Sequence, residues 1–569
     1  MLLLAPILLF LPGLSWILCS GLNKQLRAVE KLALSLIISI IFDSLFTAAL
    51  SLVTSQYLGY SAAGSILVSL IFLLVWLLRY RPSLRSLRPR FHLENKMLPV
   101  TIAVVAYVII VLLLGWSTPV YPSTDAFDPV THGEIVDNII HGAAKTLLLH
   151  TSIPIGLHFA SALLAYVLEF NGLGAMRILL SVCLIDSILL TYFCARTILN
   201  EVSASFVTLV AGFVIPVDAM HLIQIGTFPN MMSDAIVLAA LWLAFAYVKN
   251  PNRAKGLTLS FLVVGGLFVH STFLLFLVSL WVALPVFVLH FRVFAWNYFK
   301  ALLFTIGGIL VLVVVLGPFL TGSVERVLFG SYGTGSTAPS TPLLLSLQNI
   351  AWNYRSFAGP LAPWLILLSI IFALLKRRNS MGTVFSCIWL GVLTIAMVIS
   401  TESWRFILLS LVPGSFLIGD LLGALSRFNY SPARKNEFKL LKLLAPILLL
   451  VLVMSGGFIP LLSRIYSPTE RSMQQTIILS MSWLQENDQS YGVASVGLTS
   501  SYQYLQPLTG LHYLGDYSEN ASSIIAASAE KGFRYVAVAV QSPQFPTFEC
   551  SSGVQEKYRN SIVAIFFIP

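Results

Sequence analysis

The stretch from Asp125 to His141 gathers four carboxylates, Asp125, Asp128, Glu134 and Asp137, and two imidazoles, His132 and His141. Buried carboxylates at a membrane surface cost desolvation energy, so such a cluster is either a solvated loop or a site that uses its charge. As a site, it suits general-base chemistry. One Asp takes the proton of an attacking hydroxyl, while a neighbouring Asp, Glu or His steers that hydroxyl or holds a divalent cation. Asp128 precedes Pro129, a residue favoured in the first turn of a helix, which puts His132 one turn further on the same face. Asp128 also stands where a helix N-cap would, and capping and base are compatible roles.

Other polar residues punctuate long apolar runs. Ile153-Pro154-Ile155-Gly156-Leu157-His158 opens one such run, and His158 is either a hydrogen-bonded structural residue or part of the site. His221 and Gln224 precede the turn Gly226-Thr-Phe-Pro229-Asn230, where Asn230 or Asp234 can cap the next helix or touch substrate. His270-Ser271-Thr272 marks a hinge between two apolar runs, and Glu402-Ser-Trp404-Arg405-Phe406 stands at the mouth of another. The Arg405 guanidinium can snorkel to lipid headgroups or make a forked contact to a phosphate. The stretch from Thr321 to Arg355 is rich in Gly, Ser, Thr and Pro and has the length of a lid or of a plain connector. The sequence contains no Gly-rich phosphate loop, zinc spacing, nucleophile elbow or dinucleotide fingerprint.

These residues must be held by a membrane domain. The chain has 569 residues, of which 57% are hydrophobic and 10% charged, with a mean hydropathy of +0.86. Soluble domains are about 25% charged, and no soluble fold hides so much apolar surface. Apolar runs long enough to cross about 30 Å of hydrocarbon as helices recur to residue 463, roughly 14 of them. The formal charge of +10 is spread over short loops between these runs, which reads as membrane orientation and not as a nucleic-acid surface. Lys24, Arg27 and Lys31, the basic stretch Arg79 to Lys96, then Lys249, Arg253 and Lys255, Lys376 to Arg378, and Arg427 to Lys439 mark inner loops. The segment 116–150 and the loop 321–358 then face outward. The run from Leu2 to Cys19 lacks a basic leader and a small-residue cleavage site, so a retained helix is expected. The five cysteines are scattered, without metal or disulfide spacing.

One conflict appears. If 152–170 crossed the membrane, the polar turn from Arg196 to Glu201 would face outward and the later alternation would break. The start of that run is interrupted by Pro154 and Gly156, so a helix lying at or dipping into the outer face is expected there. After Arg464 Ser, Gln, Glu, Asn and Tyr replace the apolar runs, and residues 464–569 read as a small outward α/β domain. Within it Gly492 to Val496, Tyr535 to Val540 and Ile562 to Ile568 predict strands, and Ser472 to Asn487 and Ser522 to Lys531 predict helices.

The pattern resembles the GT-C superfamily of polytopic glycosyltransferases, which use a sugar carried on a polyprenyl phosphate. The resemblance rests on the early Asp125 or Asp128 in a first large outer loop, the following Ile-Ile-His-Gly142, the Pro154-x-Gly156-x-His158 stretch, the Gly226 to Asn230 turn and the Trp404-Arg405-Phe406 mouth. The tail from Met473 to Asn487 is similar to the helix after the last span in archaeal-type members. What the resemblance implies is an all-α membrane domain over 1–463 in the cell membrane, with an extracytoplasmic α/β tail. It further implies inverting transfer to a glycan, lipid or protein acceptor, with Asp125 or Asp128 as base and Arg405 on the lipid phosphate. His132, Glu134, His158, Asn230 and His270 would surround the sugar, with a divalent cation such as Mg or Mn as a further implied partner. No acidic pair accompanies the Gly226 turn, which departs from the metal-dependent oligosaccharyltransferase pattern. A transporter or lipid flippase is the alternative class. It predicts two halves of similar pattern, and the sequence has none.

Overall fold

The computed structural model describes residues 4–80, 104–105, 107–109, 128–150, 155–225, 228–316, 343–376, 380–399, 406–427, 439–460, 479–480, 483–484, 486–487, 492–496, 512–516, 520–530, 532–551 and 553–569. The helices in chain order are α1 (Leu4–Ser20), α2 (Ala28–Ser51), α3 (Tyr57–Tyr80), α4 (Asp128–Ile140), α5 (Ala144–His150), α6 (Gly156–Leu168), α7 (Gly172–Ile198), α8 (Glu201–Ile225) and α9 (Phe228–Lys249). They continue with α10 (Arg253–Val269), α11 (Phe273–His290), α12 (Arg292–Leu316), α13 (Leu343–Ala358), α14 (Ala362–Leu375), α15 (Met381–Ile399), α16 (Ile407–Ser426) and α17 (Lys439–Val453), the last running into a π turn at Met454–Phe458. Among the described residues eight helices are long and apolar enough to cross a bilayer, or nine if α13 and α14 count as one bent span. The protein is thus a polytopic membrane protein. Most of the run expected at 98–115 lies outside the described residues.

Local chemistry sets the helix ends. The backbone N–H of Arg27 donates to Glu30 Oε2 at 2.8 Å at the start of α2. Asn171 caps α7 by accepting from Gly174 N at 2.7 Å, and Asn252 caps α10 by accepting from Ala254 N at 2.7 Å. Lys255 closes the far end of α9 by donating to the carbonyls of Ala246 and Asn250.

Contacts between helix ends sort the bundle into two rims. At the basic rim Glu30 is paired with Arg196 at the end of α7, Lys24 lies over the Tyr80 ring at the end of α3, and Asn297 of α12 donates to the Val248 carbonyl of α9. The same rim carries a network around Asp420 of α16, which accepts from Lys376 at 3.3 Å, Thr383 of α15 at 2.8 Å and Ser203 of α8 at 3.3 Å. At the opposite rim the Tyr57 hydroxyl opening α3 donates to the Ile139 carbonyl of α4, and the Gly172 N–H opening α7 donates to Asp137 Oδ1 at 3.1 Å.

The same sorting fixes α6. At its start Gly156 lies against Phe268 and Val269, the last turn of α10, and near its end Tyr166 reaches Gly59 at the start of α3. Both neighbours belong to the rim opposite the basic one, so α6 begins and ends on one side. Its 13 residues rise about 20 Å, short of a bilayer core. The helix expected at 152–170 therefore lies along one face, and the alternation of α7 and later spans is preserved.

The expected loop 321–358 differs from the structure at its end. Residues 343–358 are helical as α13, which meets α14 at 112°. Gly359 makes this elbow with φ +85°, a conformation that glycine adopts freely, against Gly456 of the π turn.

In the C-terminal region β1 (Gly492–Val496), β2 (His512–Asp516), α18 (Ala521–Glu530), β3 (Tyr535–Ala539), α19 (Phe545–Glu549), β4 (Gln555–Arg559) and β5 (Val563–Phe567) form an α/β unit around one sheet. The strand order is β2-β1-β3-β5-β4, parallel among β2, β1 and β3 and antiparallel from β3 to β5 to β4. The inner strands β3 and β5 are apolar runs buried on both faces, whereas β4, Gln-Glu-Lys-Tyr-Arg, is a charged edge that discourages further pairing. The three expected strands and the helix over α18 are present to within a residue or two. Of the helix expected at Ser472 to Asn487 only scattered residues are described.

Candidate functional site

The rim opposite the basic one assembles the residues singled out by their chemistry. Helix α4 starts at Asp128-Pro129, as the spacing predicts, and packs along α6 and the start of α7. His132, four residues after Asp128, meets His158 of α6 with Nδ1 to Nε2 at 2.8 Å, and both rings are buried. Burial first, and then the neighbouring His132, holds His158 well below the usual imidazole range. A neutral His158 makes this contact an ordinary imidazole hydrogen bond, with one ring donating and the other accepting. It ties the head of α4 to the head of α6.

Asp137 fastens the other end of α4 by accepting the Gly172 N–H. Valine 136 and Asp137 fit so closely over Gly172 that a Cβ there would stand 2.6 Å from the nearest side-chain atom. Burial pushes the Asp137 carboxyl up to about 6, against the opposite pull of the Gly172 N–H and of His141. A raised carboxyl favours the protonated native state, so its contribution is complete below the unfolded value near 3.8 and is lost as pH rises through about 6. The expected outcome is that the wild-type thermal midpoint falls relative to that of Asp137→Asn between pH 4 and pH 7, as read by denaturation in detergent. Equal pH profiles would contradict the assignment.

A second group lies where α9, α10 and α11 meet. His270 Nδ1 accepts from the Thr272 N–H at 3.1 Å and contacts the Thr272 hydroxyl at 2.8 Å, and that hydroxyl donates to Ser233 of α9 at 3.4 Å. Asn230 and Asp234, on the first turns of α9, are both 8% exposed. Gly156 touches Val269, so this group lies beside the head of α6, two residues from His158. His158, His132, His270 and Asn230 thus belong to one rim.

Asp125 and Arg405 lie outside the described residues. Asp128 and Glu134 are described as backbone positions in α4 only. Among the described residues no group of three or more His, Cys, Asp or Glu is placed to hold a metal ion. Mg and Mn prefer oxygen ligands, and the buried His132–His158 pair does not fit such an ion.

Sequence reasoning passed over Arg177. It sits on the second turn of α7, partly buried, five residues after Gly172. The available signal was a charged residue near the start of an otherwise apolar run. Tyr57 and Ser233 were also missed, and Thr272 was marked only as part of a hinge, because nothing local marks a hydroxyl whose partner lies on another helix.

No family model matches this chain, and no curated protein matches it. Solved structures do. ArnT from Cupriavidus metallidurans bound to undecaprenyl phosphate aligns with a TM-score of 0.56 at 10% identity, over 82% of this chain and 97% of that one. The same protein in the apo state aligns with a TM-score of 0.53 at 10% identity, over 83% and 98%. The Archaeoglobus fulgidus oligosaccharyltransferase in the apo form aligns with a TM-score of 0.51 at 10% identity, over 79% of this chain and 70% of that one. At such identities the likeness is one of fold: this chain shares its polytopic membrane fold with ArnT and with the Archaeoglobus fulgidus oligosaccharyltransferase.

Proposed function

We propose that the protein is a GT-C-type glycosyltransferase that moves a sugar from a polyprenyl-phosphate donor to an acceptor hydroxyl on the extracytoplasmic face. The observation that carries the proposal is the rim built by α4 and α6. A helix headed by Asp128 lies beside a non-spanning helix, at the end of the bundle opposite the basic loops, in a fold like that of ArnT bound to undecaprenyl phosphate. The positive-inside rule assigns that end to the outside. The π turn that ends α17 meets the Gly359 elbow at the same end, which supports an extracytoplasmic position for residues 464–569.

In this mechanism Asp125 or Asp128 accepts the proton of the acceptor hydroxyl as its oxygen attacks the anomeric carbon. The bond from that carbon to the phosphate oxygen breaks, its electron pair leaves with the polyprenyl phosphate, and attack from the opposite face inverts the anomeric centre. Arg405 offsets the charge that develops on the departing phosphate. His132, Glu134, His158, Asn230 and His270 surround the sugar and the acceptor.

The test uses membranes containing the full chain and labelled polyprenyl-phosphate sugars. Label leaving the lipid with release of polyprenyl phosphate, and a product of inverted configuration, is the expected result. An unconsumed donor together with a solute crossing proteoliposomes favours the transporter class instead.

A further inference from the structure

The elbow between α13 and α14 has consequences for the lipid around the protein. Helix α14 ends at Lys376, which bonds Asp420 in the basic rim, so the elbow at Gly359 stands at the opposite end of the bundle. A 112° turn there lays α13 nearly in the membrane plane. One face of α13 is buried at strict four-residue spacing, Ser346, Ile350, Tyr354 and Ala358, and Tyr354 donates to Ser410 of α16 at 2.6 Å. This stripe fixes the rotation of the helix about its axis.

What remains outward is amphipathic, with the polar Gln348, Asn349 and Ser356 exposed beside large apolar side chains. Leu347 is 43% exposed and Trp352 64% exposed, and Arg355 lies over the Trp352 ring at 5.7 Å. From Leu343 to Ala358 there is no Asp or Glu, and among the described residues no carboxylate pairs with Arg355. The exposed apolar surface continues past the elbow onto α14 through Trp364, Leu367, Leu368 and Ile371, an apolar face of the kind that the hydrocarbon of a bilayer covers.

We propose that α13 is an interfacial helix docked on the headgroup layer of the bilayer, with Trp352 as its apolar anchor and Arg355 binding the phosphate of an anionic phospholipid. Continuity with the lipid-facing side of α14 identifies the occupant as membrane. The aromatic ring suits the boundary between acyl chains and headgroups, and the guanidinium, braced flat over it, presents its outer N–H groups to phosphate oxygens. This assignment stands whether or not the chain transfers sugar.

The test uses the full chain in nanodiscs of phosphatidylcholine and phosphatidylglycerol. The emission of Trp352 is isolated as the difference between wild type and Trp352→Phe. Lipids brominated near the carbonyl end of the chain should quench that difference by about half or more, and aqueous iodide should leave it nearly unchanged. Iodide quenching without a bromine response overturns the docking. In native mass spectrometry Arg355→Gln should retain about one phosphatidylglycerol fewer per chain, and Arg355→Lys should lose less. Unchanged retention in Arg355→Gln overturns the phosphate contact. Both side chains are exposed, and unchanged thermal midpoints verify that the variants are folded.

Discussion

Membranes carrying Asp125→Asn or Asp128→Asn are expected to lose sugar transfer, by about 100-fold or more for whichever residue is the base, since general-base catalysis contributes about 10²- to 10⁴-fold. The amide keeps the shape of the carboxyl and its capping ability but cannot accept the proton. A base acts on turnover, so kcat should fall while the donor KM stays near its original value. Asp128 has a structural neighbourhood that supports it: it heads α4, one turn from the His132 ring that is bonded to His158. Helix capping alone predicts something different for Asp128→Asn, a change in stability of a few tenths of a kcal/mol at most and no loss of rate, because Asn caps as well as Asp. Full turnover in both variants would remove the base assignment.

The largest loss of stability is expected at the opposite rim. Asp420 is 2% exposed and joins four helices, α8, α14, α15 and α16, through Ser203, Lys376, Thr383 and its own backbone. Replacing it with Ala leaves two hydroxyls without their acceptor and a lysine without its counter-charge, and removal of one partner from a buried pair costs about 3–5 kcal/mol. The Lys376 side chain is 29% exposed and can rehydrate in part, so the lower end, about 3 kcal/mol, is expected. Glu549→Ala is the control. Its pair with Arg559 is 49% and 41% exposed, and such surface pairs contribute about 1 kcal/mol or less. A thermal midpoint for Asp420→Ala no lower than that of Glu549→Ala would show that the clasp does not hold the bundle.

Much of the fold could be read from the chain because membrane helices satisfy their own backbone and declare themselves by length and hydropathy. The alternation of basic loops indicated that something near 152–170 does not cross, and the contacts of Gly156 and Tyr166 bring both ends of α6 to one side of the bundle. Strands β2 and β4 escaped notice for opposite causes. His-Tyr-Leu-Gly-Asp is short and contains a glycine, and Gln-Glu-Lys-Tyr-Arg is a polar edge with no apolar alternation. Helix α13 was hidden in a loop-like composition although its four-residue stripe was present. In the site, residue type pointed to His132 and His158 separately, but their contact joins positions 26 apart, and Asp137 finds Gly172 across 35. Glu30 and Arg196, 166 apart, show the same limit. Helices that are apolar on every side carry little periodicity to say which face meets which neighbour.

The central claim is that α4 stands beyond the outward surface of the membrane, within reach of a lipid-borne leaving group. Asn138 is exposed on α4, so Asn138→Cys, made together with Cys550→Ser to remove the exposed native thiol, reports the side directly. The account predicts that a membrane-impermeant maleimide labels this cysteine in intact cells. Labelling only after the membrane has been permeabilised would place α4 in the cytoplasm and contradict the proposed chemistry.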